Sequence, residues 1–263
     1  MKATFDFTGA RVMVFGGTSG INLGIAHGFA AAGAELCVVS RKQEKVDAAV
    51  TALSAHGRPA SGYALDVRDF DAVEGACKAF AADGPIDVLV SGAAGNFPAP
   101  AVAMSANAFK SVVDIDLLGT FHVVRAAFQH LRKPGASVIN ITAPQAQVAM
   151  QMQAHVCAAK AGIDMLTKSL ACEWGLAGVR VNAISPGPIE NTEGMERLAP
   201  TEAARKAVRK SVPLQRDGRA DEIADACLWL SSDKAAYVSG VVLPVDGGWL
   251  AAGVPLTMSQ LTS

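Results

Sequence analysis

The sequence predicts an α/β fold, a doubly wound, seven-stranded parallel sheet with helices on both faces, in one domain over 1–263. Three observations predict it. Short apolar, β-branched runs alternate with helix-length stretches from end to end, and that alternation implies a parallel sheet covered on both sides. A length of 263 residues suits one domain with a large core. A glycine-rich turn, Gly16 to Asn22, separates the first apolar run from the first helical stretch.

The elements follow in order. The run Arg-Val-Met-Val-Phe over 11–15 is the first strand, and the alanine-rich stretch 24–32 is the helix after it. Strands are expected again at 35–40, 60–65, 88–91, 137–141, 180–184 and 241–245. Helices are expected between them, at 43–55, 71–82, 106–131, 154–175 and 221–230. Residues 186–213 read as irregular, because Pro186, Pro188, Pro200 and Pro213 break them up. Such length is unusual for a strand-to-helix connection, and long loops in compact domains often serve as lids. No repeat, low-complexity linker or second domain is visible.

Composition narrows the function. A net charge of −1 gives no electrostatic footprint for nucleic acid. Residues 12–34 carry no Lys, Arg, Asp or Glu, yet Gly16, Gly17, Gly20, Gly24, Gly28 and Gly33 interrupt them, so a membrane span is not expected. Met1 to Thr8 shows no apolar leader core and Gln260-Leu261-Thr262-Ser263 does not read S-K-L, so neither a signal peptide nor a peroxisomal address of that type is expected. Cys37, Cys77, Cys157, Cys172 and Cys227 lack pairing or metal-ligand spacing, which suits reduced thiols in the cytoplasm. No metal site is expected.

The turn Gly16-Gly17-Thr18-Ser19-Gly20-Ile21-Asn22 has a physical purpose. Glycines let the backbone approach a pyrophosphate, and the helix N-terminus supplies N–H groups to it. This marks a dinucleotide-binding Rossmann fold. Asn22 stands where a last glycine is common, and asparagine tolerates left-handed backbone better than most residues. After the second strand comes Ser40-Arg41 rather than an acid. An arginine suits a 2′-phosphate through charge-assisted contacts, so NADPH is the expected cofactor.

These motifs, with Asp66-Val67, Ser91-Gly92-Ala93-Ala94, Pro186-Gly187-Pro188-Ile189 and Asp246-Gly247-Gly248, resemble the short-chain dehydrogenases/reductases from Gly9 to Trp249. That family carries Tyr-x-x-x-Lys, and here His155-Val156-Cys157-Ala158-Ala159-Lys160 keeps the lysine and puts Val156 in the tyrosine's place. Ala143 stands at the serine position and Asp116 at the asparagine position. Gly92 to Phe97, Asp114-Ile115-Asp116 and Thr192-Glu193-Gly194 narrow the resemblance to NADPH-dependent 2,4-dienoyl-CoA reductases, the peroxisomal type above all.

The resemblance implies a fatty-acid-oxidation enzyme that delivers hydride to C5 of a 2,4-dienoyl-CoA, with a water protonating C2 to give a 3-enoyl-CoA. Ketone reduction needs a hydroxyl acid beside the carbonyl, whereas a dienolate takes its proton elsewhere. Asp116 and Lys160 are the implied catalytic pair, holding that water. Implied cofactor contacts are Gly16, Thr18, Ser19, Gly20, Ile21, Ser40, Arg41, Asp66, Val67, Ala93, Lys160, Pro186, Gly187, Ile189 and Thr192. Implied substrate contacts are Arg41, Arg68 and Arg197 for coenzyme A, and Phe97, Ser105 and Asn107 for the acyl thioester. His155 is either a proton relay or a packing residue. A homotetramer is expected. Two other functions stay open: an NADPH-dependent carbonyl or 3-oxoacyl thioester reductase, and a dinucleotide-binding protein without catalysis.

Overall fold

The computed structural model describes residues 4–253; the two terminal segments considered above, up to residue 3 and from residue 254, lie outside that range. Seven parallel strands form one sheet: β1 (Arg11–Phe15), β2 (Glu35–Ser40), β3 (Ala60–Ala64), β4 (Val88–Ser91), β5 (Ser137–Ile141), β6 (Arg180–Pro186) and β7 (Val242–Val245), in the order β3-β2-β1-β4-β5-β6-β7. The chain winds outward from β1 to β3 and then returns to place β4 on the other side of β1. That reversal opens a crevice beyond the strand ends of β1 and β4, where doubly wound folds bind ligands.

Strand side chains alternate between two cores, as a period of two requires. Val12, Val14, Leu36, Val38, Val88, Val90, Ile139 and Ile184 pack on one face with α1 (Gly20–Ala31), α2 (Gln43–Ser54) and α9 (Ala220–Ser231). Met13, Phe15, Cys37, Val39, Leu89 and Val138 pack on the other with α3 (Phe70–Phe80), α5 (Gly119–Phe128) and α6 (Ala154–Trp174). Both faces are covered, so nearly every position of β1, β2 and β4 is apolar.

Three expectations need correction. Helix 106–131 ends at Phe128 and is not α-helical throughout. It comprises α4 (Ala106–Val112), a π-helical segment (Val113–Leu118) and α5. A π turn inserts one residue and resets which side chains face inward, something a plain 3.6-residue periodicity does not reveal. Residues 186–213 are not irregular, for they hold α7 (Glu193–Leu198) and α8 (Glu202–Ser211), each opened by a threonine whose hydroxyl accepts a hydrogen bond from a first-turn N–H. The prolines fall outside both helices. Finally, α1 begins at Gly20 rather than 24, so Asn22 is in its first turn and is not among the residues with left-handed backbone.

Candidate active site

The crevice at the sheet reversal opens into a cavity of about 630 Å³. Its nucleotide end is built by loops that leave strand ends. Gly16 to Asn22 leave β1, Ser40, Arg41 and Lys42 leave β2, Leu65 to Val67 leave β3, and Gly92 to Asn96 leave β4. Gly16 has φ +78°, and a Cβ there would lie 3.0 Å from the backbone of Gly92 and Ala93, so only glycine lets these two loops close up. The Asn22 side chain finishes the join by donating from Nδ2 to the Gly92 carbonyl at 2.8 Å. Asn22 therefore serves as a cross-loop tie, which its identity alone did not suggest.

The fit to a dinucleotide is visible at α1. Its N-cap, Ser19, makes no side-chain capping bond, and no acid occupies the first turn. The free N–H groups of a 12-residue helix thus meet the cavity where Thr18, Ser19, Gly20 and Ile21 line it, an arrangement that suits a pyrophosphate. Arg41, Lys42 and Lys45 line the same end. Lys45 escaped the sequence reading; its signal was the basic spacing 41, 42, 45 around the start of α2.

All the implied cofactor residues line this cavity, from Gly16 through Thr192, and so do Asp116 and Lys160. The last two form its chemical centre. Asp116 is on the π-helical segment and is fully buried, and Lys160, on α6, is 6% exposed. The Lys160 ammonium is 3.3 Å from Asp116 Oδ2 and donates to the Ile141 carbonyl at 3.2 Å. Asp116 Oδ1 accepts from the Gly95 N–H at 2.7 Å, while Oδ2 has no aligned hydrogen-bond donor. Val156 packs beside them with Val112 and Ala159, and Ala143 lines the cavity. Beside this charged pair the tyrosine and serine positions are hydrocarbon, Val156 and Ala143.

His155 is fully buried with both ring nitrogens unpaired, its ring 4.5 Å from that of Phe97. Burial holds it below the ordinary imidazole range, while the Phe97 backbone and Asp116 pull the other way. Neither His155 nor Phe97 is a wall of the cavity.

The implied substrate residues divide. Arg41 and Arg197 line the cavity. Arg197 donates to the Asn96 carbonyl at 2.8 Å and meets Glu193 at 3.2 Å, and Glu193 also meets Lys45 at 3.3 Å, so α7 is tied across the mouth to both α2 and the β4 loop. Arg68 is not a wall residue: it forms a forked pair with Asp66, Nε at 3.0 Å and one terminal nitrogen at 2.6 Å. That pairing holds the Asp66 carboxyl below the usual carboxylate range. Ser105 and Asn107 are exposed, and Ser105 caps α4 by accepting from the Ala108 N–H at 3.1 Å.

A family model described as enoyl-(acyl carrier protein) reductase matches residues 16–250. The chain belongs to the short-chain dehydrogenase/reductase family. It is similar to the peroxisomal (3E)-enoyl-CoA-producing 2,4-dienoyl-CoA reductase of Rattus norvegicus, 44% identical over 244 residues, which cover 90% of this chain and 82% of that one. It is 38% identical to a Bacillus subtilis protein assigned as a (2E)-enoyl-CoA-producing 2,4-dienoyl-CoA reductase, over 91% of this chain and 96% of the relative. Among solved structures, a candidate 2-deoxy-D-gluconate 3-dehydrogenase of Agrobacterium tumefaciens with bound NADP superposes with a TM-score of 0.86. It is 35% identical and covers 95% of this chain and 100% of its own. As a short-chain dehydrogenase/reductase the protein is an oxidoreductase, and the reading of a binding protein without catalysis is set aside. Among the described residues, no helix is long and apolar enough to cross a membrane.

Proposed function

We propose that this short-chain dehydrogenase/reductase reduces a 2,4-dienoyl-CoA thioester to a 3-enoyl-CoA with NADPH. One observation carries the reading: a buried Asp116–Lys160 pair in a cavity whose Tyr and Ser positions are Val156 and Ala143. When bound, NADPH supplies the hydride, here to C5 of the diene. The electron pair moves through the conjugated system to the thioester oxygen as a dienolate, and a proton then adds at C2. Asp116 and Lys160 hold the water that delivers this proton. Gly95 fixes the Asp116 carboxylate and the Ile141 carbonyl fixes the ammonium, so the pair is oriented in advance. A carbonyl reductase, by contrast, needs a hydroxyl beside the carbonyl, where this cavity has only hydrocarbon.

Arg41, Lys42 and Lys45 suit the NADPH 2′-phosphate. Arg41 and Arg197 at the mouth suit the phosphates of coenzyme A; Arg68 for coenzyme A, and Phe97, Ser105 and Asn107 for the acyl thioester, reach substrate only from outside the cavity wall. Residues 186–213, with α7 and α8, form the lid of a single domain over 1–263. A homotetramer fits the exposed Phe109, Leu118, Phe121 and Met165 on the α4–α5 stretch and α6. The cysteine pattern favours the cytoplasm, whereas the rat relative is named as peroxisomal, and cell fractionation decides between them.

The deciding experiment is NADPH oxidation with hexadienoyl-CoA beside an acetoacetyl thioester, followed by identification of the product's double bond. Turnover of the diene to a 3-enoyl product, with little on the ketone, is expected. Preference for the ketone, or a 2-enoyl product, would overturn the reading.

A further inference from the structure

The Asp246-Gly247-Gly248 motif has no part in the chemistry so far, yet it sets the direction of Trp249, a wall residue of the same cavity. Asp246 follows β7, and its carboxylate accepts from the Gly248 N–H at 2.9 Å and the Leu250 N–H at 2.7 Å. Gly247 and Gly248 both have left-handed backbone, φ +64° and +89°. Two glycines are needed because a side chain there is strained in that conformation. The turn turns Trp249 inward, to 8% exposure, where it lines the cavity.

The indole is held in place. Its N–H donates to the Ser211 hydroxyl at 2.9 Å, and that hydroxyl donates to the Val208 carbonyl at 2.7 Å, so Trp249 is fastened to the end of α8. Val212, Val148 and Met150 pack against it. Met150 and Val208 line the cavity too, with Met195 and Leu198 of α7. This end is hydrocarbon, unlike the basic end at Arg41. A large, anchored ring among movable methionines is a fixed stop among soft walls.

We propose that Trp249 is the stop that sets how long an acyl chain the cavity accepts. The assignment rests on the dienoyl-CoA reading, and it names the chain-length determinant of that site. An acyl tail entering past Val156 would run between α7 and Met150 toward the indole, gaining contact per methylene until the ring blocks it.

The test measures kcat/KM for C6, C10 and C14 2,4-dienoyl-CoA in the wild type, Trp249→Ala, Trp249→Phe and Ser211→Ala. Trp249→Ala should raise the C14-to-C6 ratio about tenfold or more, through KM for C14, since a few methylenes of pocket are worth that much discrimination. Trp249→Phe keeps a ring and should stay near the wild-type ratio. Ser211→Ala frees the indole and should fall between, and it carries the test should Trp249→Ala fail to fold. Unchanged ratios in active Trp249→Ala and Ser211→Ala would overturn the assignment while leaving the reaction intact. Absence of wild-type turnover on every dienoyl-CoA would instead overturn the reaction and, with it, the assignment.

Discussion

At the residue scale, the buried pair is the sharpest point of test. Asp116→Asn keeps an oxygen for the Gly95 N–H but removes the carboxylate facing Lys160. We expect dienoyl-CoA reduction to fall about 100-fold, the usual worth of general acid–base help, with NADPH affinity nearly unchanged. Lys160→Ala should behave differently, because it leaves Asp116 buried without a cation, at a cost of about 3–5 kcal/mol of stability, and weakens NADPH as well. Retention of most activity in Asp116→Asn would dismiss the water-holding role and make His155 the next candidate. Arg41→Glu is the companion test. Reversing a charge at the phosphate end should weaken NADPH far more than NADH, which a titration of both cofactors reads directly. Equal losses would remove Arg41 from cofactor choice. The resemblance of the sequence to the dienoyl-CoA reductases made Asp116 and Lys160 suspects. It could not show that they are 3.3 Å apart, because 44 positions separate them in the chain and only packing of the π-helical segment on α6 joins them.

At the element scale, a tight constraint is the crossing of α1 over α9. A Cβ on Gly24 would come within 2.5 Å of the Ala220 Cβ, and one on Gly28 within 2.7 Å of the Ala224 Cβ. Two glycines four apart thus face two alanines four apart, and the backbones approach closely. Gly28→Ala is predicted to destabilise the protein. Ala improves helix propensity by about 1 kcal/mol. The helices must separate to admit the methyl, and overpacking of this kind costs about 1–3 kcal/mol, so the net sign is unfavourable. Adding Ala224→Gly should recover part of the loss, and a double-mutant cycle by urea denaturation measures the coupling. A gain in stability for Gly28→Ala alone would show that the crossing has slack. Two of the six glycines that argued against a membrane span in the sequence, Gly24 and Gly28, are in the fold the contact surface of α1 with α9. Composition distinguishes the two roles only by exclusion.

At the scale of the whole molecule, three histidines act together on acid stability. Burial depresses His27, His130 and His155 below the ordinary value of 6.5. For each, the unfolded chain takes up a proton as pH falls through 6.5 while the folded form stays neutral, so stability is fully present above that point and declines below it. A second loss follows at lower pH, because Glu222 is held at about 2 from 4.5 by hydrogen bonding from Arg216 and must be protonated. Urea midpoints should therefore drop between pH 7.5 and 5.5, and His155→Gln should flatten that slope. An unchanged midpoint over this interval would contradict the shared direction of the three shifts.

The sheet, its seven strands to within a residue or two and the glycine-rich turn were all legible in the linear pattern. These are local properties: an apolar run of five cannot hide its partner faces, and a turn that must approach a phosphate needs glycine. What only tertiary structure decided is how distant segments complete one another. The π-helical turn that orients Asp116, the Asn22 tie to Gly92 and the anchoring of Trp249 by Ser211 all depend on contacts between residues far apart in the chain. A helix of 3.6-residue period and one interrupted by a single wide turn have nearly the same pattern of apolar residues. Their difference in energy lies in the neighbours, Leu117 against Gly162 and Val67 against Gly119, which a linear reading does not contain.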